Sequence, residues 1–128
     1  MAETSPWIAV VDDDPAVLRA LSRLLRTRSF RVKTYGSGQE FLAVLSEGLP
    51  QCLIVDFQMP AMNGLELQQL LVRNGIAVPT ILITAHGDAA IHSPPDGDTF
   101  VARLRKPLQD EALFSAIERA IGNSRDVV

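Results

Sequence analysis

Short unbroken apolar runs alternate along this chain with stretches in which apolar residues recur every three or four positions. "WIAVV" (7–11) opens the series and reads as a strand covered on both faces. Val17, Leu18, Leu21, Leu24 and Leu25 then fall at helical spacing. "FRVKTY" (30–35) alternates like a less buried strand, and Phe41, Leu42 and Leu45 return to the helical period. "CLIVDF" (52–57) and "PTILITA" (79–85) are two further buried runs, with a helical stretch from Leu65 to Val72 between them. "FVARLR" (100–105) predicts a fifth strand. Leu113, Phe114, Ile117 and Ile121 then line one face of a last helix over 111–121, with Gly122 just beyond it.

The element boundaries have their own chemistry. Asp14 suits the N-cap of the first helix and Pro15 its first turn, because a cap carboxylate accepts hydrogen bonds from N–H groups that have no partner inside the helix. Ser37 and Glu40 form a capping-box pattern ahead of Phe41, and Gly48 and Pro50 close that helix. "MPAMNG" is turn chemistry, and Asn74-Gly75 stops the third helix. Five strands alternating with helices imply a parallel sheet covered on both faces, since parallel strands require crossover connections. The rhythm fails once, in "GDAAIHSPPDGDTF" (87–100). Pro94-Pro95 and Gly97 break helices, so the fourth helix, between the fourth and fifth strands, is expected to be short, displaced or disordered.

Bulk properties narrow the class. A chain of 128 residues that is 47% apolar can build one compact domain with a real core and not two ordinary ones. The formal charge of −3 argues against a large nucleic-acid footprint, and no direct nucleic-acid contact is expected, although a local patch is not excluded. The single cysteine, Cys52, lies in an apolar run and reads as a buried, inert thiol. No run approaches the roughly 20 apolar residues of a membrane span. "MAETSPW" has no basic region followed by an apolar stretch, so a cytoplasmic protein without membrane contact is expected.

Polar residues gather where the strands end. Asp12 and Asp13 follow the first run, Asp56 ends the third, Thr84 ends the fourth and Lys106 follows the fifth. Ligands of open parallel sheets bind beyond the carboxyl ends of the strands, so these five residues can meet on one rim. Magnesium favours oxygen ligands, and a divalent cation would offset the repulsion among adjacent aspartates.

"VVDDDPAV", "LIVDFQMPAMNGLEL", "ILITAHGD" and "LRKP", in this order, resemble the receiver domain of two-component response regulators over nearly the whole chain. The D-x-x-M-P-x-x-x-G stretch from Asp56 to Gly64 is the most specific part. The resemblance implies a flavodoxin-like, doubly wound, five-stranded parallel sheet of order 2-1-3-4-5 with helices on both faces. It implies a receiver over residues 1–123, with 124–128 a tail or the start of a linker. Asp56 resembles the aspartate that accepts a phosphoryl group from a sensor histidine kinase. Asp12, Asp13, Asp56 and the backbone carbonyl of Gln58 resemble the Mg2+ site, Asp12 acting mainly through water. Thr84 and Lys106 resemble the residues that contact the phosphoryl oxygens, and Pro107 the cis proline that aims the lysine. Gln58 and His86 occupy positions that influence how fast water removes the phosphoryl group.

One position departs from the family pattern. Arg103, three residues before Lys106, stands where an aromatic residue is common, and a guanidinium does not enter an apolar slot cheaply. The resemblance further implies a signalling role in transcription regulation rather than an enzyme acting on other substrates. The chain looks closest to receivers that precede a helix-turn-helix DNA-binding output domain, here absent, and phosphorylation-dependent homodimers are a further expectation. Two other readings compete. One is a receiver-like interaction module that is not phosphorylated. The other is a haloacid-dehalogenase-type phosphohydrolase, loosely suggested by Asp12-x-Asp14.

Overall fold

A computed structural model describes residues 7–85 and 100–125, with side chains described as far as Gly122. Among these residues the order is β1 (Trp7–Val11), α1 (Pro15–Arg26), β2 (Arg31–Tyr35), α2 (Gly38–Ala43), a 3-10 turn (Leu45–Glu47), β3 (Cys52–Asp56), α3 (Gly64–Arg73), β4 (Thr80–Thr84), β5 (Phe100–Arg105) and α4 (Asp110–Arg125). The strands form one five-stranded sheet of order β2-β1-β3-β4-β5, and every pairing is parallel. The expected architecture is therefore present. The expectation of a short, displaced or disordered fourth helix falls on 86–99, outside the described residues.

Strand alternation divides the apolar residues between two cores. Ile8, Val10, Ile54, Ile81 and Ile83 pack with α1 and α4 on one face, where Leu25, Leu113 and Ile117 are fully buried. Ala9, Val11, Leu53, Val55 and Leu82 face the other way onto α2 and α3, against Phe41, Leu67 and Leu71. Burying each such Ile, Leu or Phe contributes roughly 1.5–3 kcal/mol, and this two-sided burial is why the central strands read as continuous apolar runs. Every residue of β3 and β4 is buried, whereas the edge strand β2 exposes three of its five residues. Cys52 lies in β3, fully buried, and burial pushes its thiol up to about 12, so it stays protonated and unreactive.

Local signals set most helix ends. Asp14 caps α1, its side chain accepting the Ala16 N–H at 2.9 Å, and Pro15 occupies the first turn. Ser37 caps α2 through the Glu40 N–H at 3.1 Å, but the Glu40 carboxylate accepts from Gly36 instead of closing the box on Ser37. The full capping box lies on α3. There Asn63 accepts the Glu66 N–H and Glu66 accepts the Asn63 N–H. The last helix differs from its sequence reading, for α4 runs through Gly122 to Arg125. A helical glycine costs only about 1 kcal/mol relative to alanine, which the preceding buried turns of α4 offset.

Candidate functional site

The carboxyl ends of β1, β3, β4 and β5 bring the acidic residues, the threonine and the lysine together. Asp12 leaves β1 with its N–H donating to the Tyr35 carbonyl at 3.1 Å, which fixes its backbone to the end of β2. Its side chain is buried, and Oδ1 accepts the Asp14 N–H at 2.9 Å. Asp56 ends β3 and is buried as well, while Asp13 is exposed. Oxygens of Asp12, Asp13 and Asp56 all lie within 4.8 Å of one another. Past the end of β5, the Lys106 N–H donates to the Thr84 carbonyl at 2.8 Å, continuing the ladder by one step. The Lys106 Nζ is 2.9 Å from Asp56 Oδ1, and the Lys106–Pro107 peptide bond is cis. Thr84 is buried, its hydroxyl 3.4 Å from the Leu104 carbonyl.

Three carboxylates and one ammonium leave this rim with two uncompensated negative charges when all are ionised. The strain registers on Asp12. Burial pushes its carboxyl above the usual range, and the charges of Asp56 and Asp13 push the same way. The Asp14 N–H and the charge of Lys106 work against that rise without cancelling it. For Lys106, burial disfavours the ammonium, but the hydrogen bond to Asp56 and the charges of all three aspartates outweigh it. The lysine is held charged above its ordinary range. An all-oxygen donor set with surplus negative charge is what a hard divalent cation such as Mg2+ requires, so the residues fit that ion.

The turn after Asp56 is shaped by glycine. The Phe57 N–H bonds to the Ile83 carbonyl at 2.8 Å, and the Gly64 N–H returns to the Phe57 carbonyl at 3.0 Å. A Cβ at Gly64 would sit 2.6 Å from the Asp56 carbonyl oxygen and 2.8 Å from Leu82 Cδ1. The loop between them carries Ala61 at φ 69°, a left-handed conformation uncommon outside glycine. Gly64 and the Asn63 cap are positioning residues that the sequence reading did not single out by role, although the spacing of the motif around Asp56 contained the glycine.

The other expected positions fall as follows. Gln58 is exposed at the start of that turn. Arg103 is partly buried, with its guanidinium 5.6 Å from the Phe100 ring centroid, so an aromatic face lies beside the cation. His86 lies outside the described residues. Asp14, which a phosphohydrolase reading needs as a catalytic acid, is spent on capping α1.

Comparison with known proteins identifies the family. The model of the response regulator receiver domain matches residues 8–118. The response regulator protein TmoT of Ectopseudomonas mendocina is 39% identical over 121 residues, which are 94% of this chain and 55% of that protein. The transcriptional regulatory protein FixJ of Rhizobium meliloti is 34% identical over 91% of this chain and 57% of its own length. The chain thus spans little more than half the length of these relatives. Among solved structures, a response regulator receiver protein from Burkholderia phymatum superposes with a TM-score of 0.80 at 44% identity, covering 92% of this chain and 96% of that one. A receiver domain protein from Clostridium thermocellum gives 0.88 at 25% identity, covering 97% and 100%. No described helix is long and apolar enough to cross a membrane. Sheet order, the strand-end residues and these matches agree, and the chain belongs to the response regulator receiver domain family.

Proposed function

We propose that Asp56 is the phosphoacceptor of this receiver and that the rim around it performs the transfer. The observation that supports this best is the 2.9 Å contact between Lys106 Nζ and Asp56 Oδ1 inside a ring of further carboxylates. A buried carboxylate is a weak nucleophile toward an anionic phosphoryl group, because like charges meet in a poorly solvated place. Lys106 reduces that repulsion from one side. Asp12, Asp13, Asp56 and the Gln58 carbonyl would hold Mg2+, which when bound supplies charge compensation for the phosphoryl oxygens.

The transfer is an in-line displacement. An Asp56 oxygen forms the new O–P bond while the N–P bond of a phosphohistidine on a sensor kinase breaks, and the imidazole leaves with the electron pair. Lys106 pairs with one equatorial oxygen, and the Thr84 hydroxyl, which makes only a long hydrogen bond to Leu104, donates to another. The product is an acyl phosphate, which water removes, so the chain's catalysis is confined to its own phosphorylation and dephosphorylation. Gln58 and His86 tune that lifetime, Pro107 aims Lys106, and Arg103 modifies the readout. The protein acts in the cytoplasm on transcription, through a DNA-binding output domain outside this chain and a phosphorylation-dependent homodimer.

Intact mass after incubation with Mg2+ and a small phosphoryl donor tests the assignment. Wild type is expected to gain one phosphoryl group and Asp56→Asn none. A gain that survives in Asp56→Asn places the acceptor elsewhere. No gain in wild type, from the small donor or from a phosphorylated kinase, favours an interaction module that is not phosphorylated.

A further inference from the structure

The net charge of −3 conceals a segregation of charge. Residues 15–39 contain six of the twelve Lys and Arg residues and not one Asp or Glu. They build α1 and the edge strand β2, so the sequence segment is also one side of the molecule. Arg19, Arg23 and Arg26 lie at i, i+4 and i+7 on α1, one exposed row that spans roughly 10 Å at 1.5 Å per residue. Arg31 and Lys33 stand exposed on β2 and alternate with Val32, which packs toward α1, so they point to the other face of the sheet edge.

Two adjoining shallow clefts organise these side chains. Arg19, Arg23 and Arg26 line one together with Ser22 and Thr34. Arg26 is shared with the second, where Arg31 and Lys33 meet Ser29. Among the described residues, none of Arg19, Arg23, Arg26 and Arg31 has an ion-pair partner. Two other cations on this segment are engaged by aromatic rings: Arg28 lies 4.0 Å from the Phe114 centroid and Lys33 4.5 Å from that of Trp7.

General rules explain parts of this surface and not the whole. Cations near a helix C-terminus complement its dipole, which accounts for Arg23 and Arg26. Charged side chains on an edge strand discourage unwanted strand pairing, which accounts for Arg31 and Lys33. Neither rule requires Arg19 or the exclusion of every acid over 25 residues of a chain that is acidic elsewhere.

We propose that the α1/β2 edge is a docking surface for the phosphate backbone of a nucleic acid. Three features favour that occupant. Three of the cations, Arg19, Arg23 and Arg26, run in a line along α1 instead of converging on one point, and Arg31 adjoins the end of that line at Arg26, as a linear polyanion requires. They are mostly arginine, whose planar fork engages phosphate with two parallel hydrogen bonds. Hydroxyls sit beside them in both clefts, and hydroxyl side chains share phosphate contacts with arginine in protein–DNA interfaces. Nothing in the row offers a base-reading geometry, so the contact is independent of sequence. It supplements a specific output domain by adding phosphate contacts beside it, and to that extent rests on the transcriptional role proposed above.

Fluorescence anisotropy of two labelled 20-base-pair duplexes of unrelated sequence, titrated with the intact chain, tests the proposal without using phosphorylation. Both duplexes are expected to bind equally at low salt. With four arginines engaged, the log affinity should fall with log salt at a slope of about −3.6. Arg19→Glu/Arg23→Glu and Arg26→Glu/Arg31→Glu are each expected to weaken binding at least tenfold while Asp56 still takes up one phosphoryl group. Absence of binding at low salt overturns the proposal, as does binding that both charge reversals leave unchanged. If the reversals slow phosphorylation by the sensor kinase and leave duplex binding untouched, the surface serves a protein partner and the proposal also fails. Since duplex binding is read on the unphosphorylated chain, its failure leaves the assignment of Asp56 intact.

Discussion

At the carboxyl rim, oxygens of three carboxylates lie within 4.8 Å of one another and two of the three residues are buried. On the α1/β2 edge five cations stand exposed, three of them in a row along α1. Both regions gather like charge, and solvent separates them. Water and salt screen the arginines, so their mutual repulsion is small and the surface stays cheap to maintain. Buried carboxylates are screened far less, and their cost appears as the raised pKa of Asp12. Only a rigid scaffold holds such a cluster, and here the scaffold is the end of a sheet with a core on each face. The rim therefore depends on packing to hold its charges together, whereas the edge keeps its charges apart in solvent.

The largest expected effect breaks the rim through its packing without touching a charge. In Gly64→Ala the new Cβ meets the Asp56 carbonyl oxygen at 2.6 Å and Leu82 at 2.8 Å. The leucine tip can yield, but the carbonyl belongs to the end of a fully buried strand. Overpacking of this kind costs about 1–3 kcal/mol. Urea denaturation should show that loss, and phosphoryl uptake by the folded fraction should slow because Asp56 is displaced. Uptake at the wild-type rate in a stably folded variant would mean that the turn yields without moving Asp56.

Less visible in the sequence was how the rim is held. The strands, the two-sided cores and the gathering of the five strand-end residues are legible, because apolar periodicity reports burial and strand ends report where polar groups collect, whereas the sheet order follows only from the resemblance to receivers. The capping box on Asn63 shows in the sequence only as turn chemistry, since Asn-Gly serves turns and caps equally. The run of α4 through Gly122 was missed for a related reason: a glycine after a periodic segment signals a stop, yet tertiary contacts of earlier turns override it. The role of Gly64 needed coordinates, because sequence spacing does not reveal that a backbone oxygen occupies the space of its missing Cβ. Arg103 was expected to sit badly in an apolar slot. Its stacking over Phe100 depends on a neighbour three residues away whose placement the β5 bulge at Val101 alters.

Asp12→Asn sharpens the electrostatic half of the comparison. The folded-state pKa of Asp12 lies above 3.8, so the ionised form is a penalty on the metal-free fold. That penalty is fully present above the folded pKa and shrinks as pH falls through it. Asparagine keeps an oxygen for the Asp14 N–H and carries no charge. The metal-free variant is expected to be the more stable at neutral pH, and its advantage should narrow as the pH falls through the carboxylate range. Magnesium should shrink that advantage, since wild type is expected to bind it more tightly, and a ligand at tenfold over its dissociation constant stabilises by about 1.4 kcal/mol. Thermal melts with and without Mg2+ read both effects. A variant less stable than wild type without metal would show that Asp12 is held by its hydrogen bond more than it is burdened by its charge.

The smallest expected effect lies on the other side of the molecule. Arg19→Gln/Arg23→Gln removes two exposed charges from a row without ion-pair partners among the described residues. Their heads are solvated in both the folded and the unfolded chain, so the melting curve should shift by no more than about 0.5 kcal/mol. If the edge stores repulsion as the rim does, the neutral pair will be more stable than wild type, and the gain will vanish as salt screens it. A stability that is unchanged at both low and high salt shows that, unlike the rim, the edge stores no repulsion.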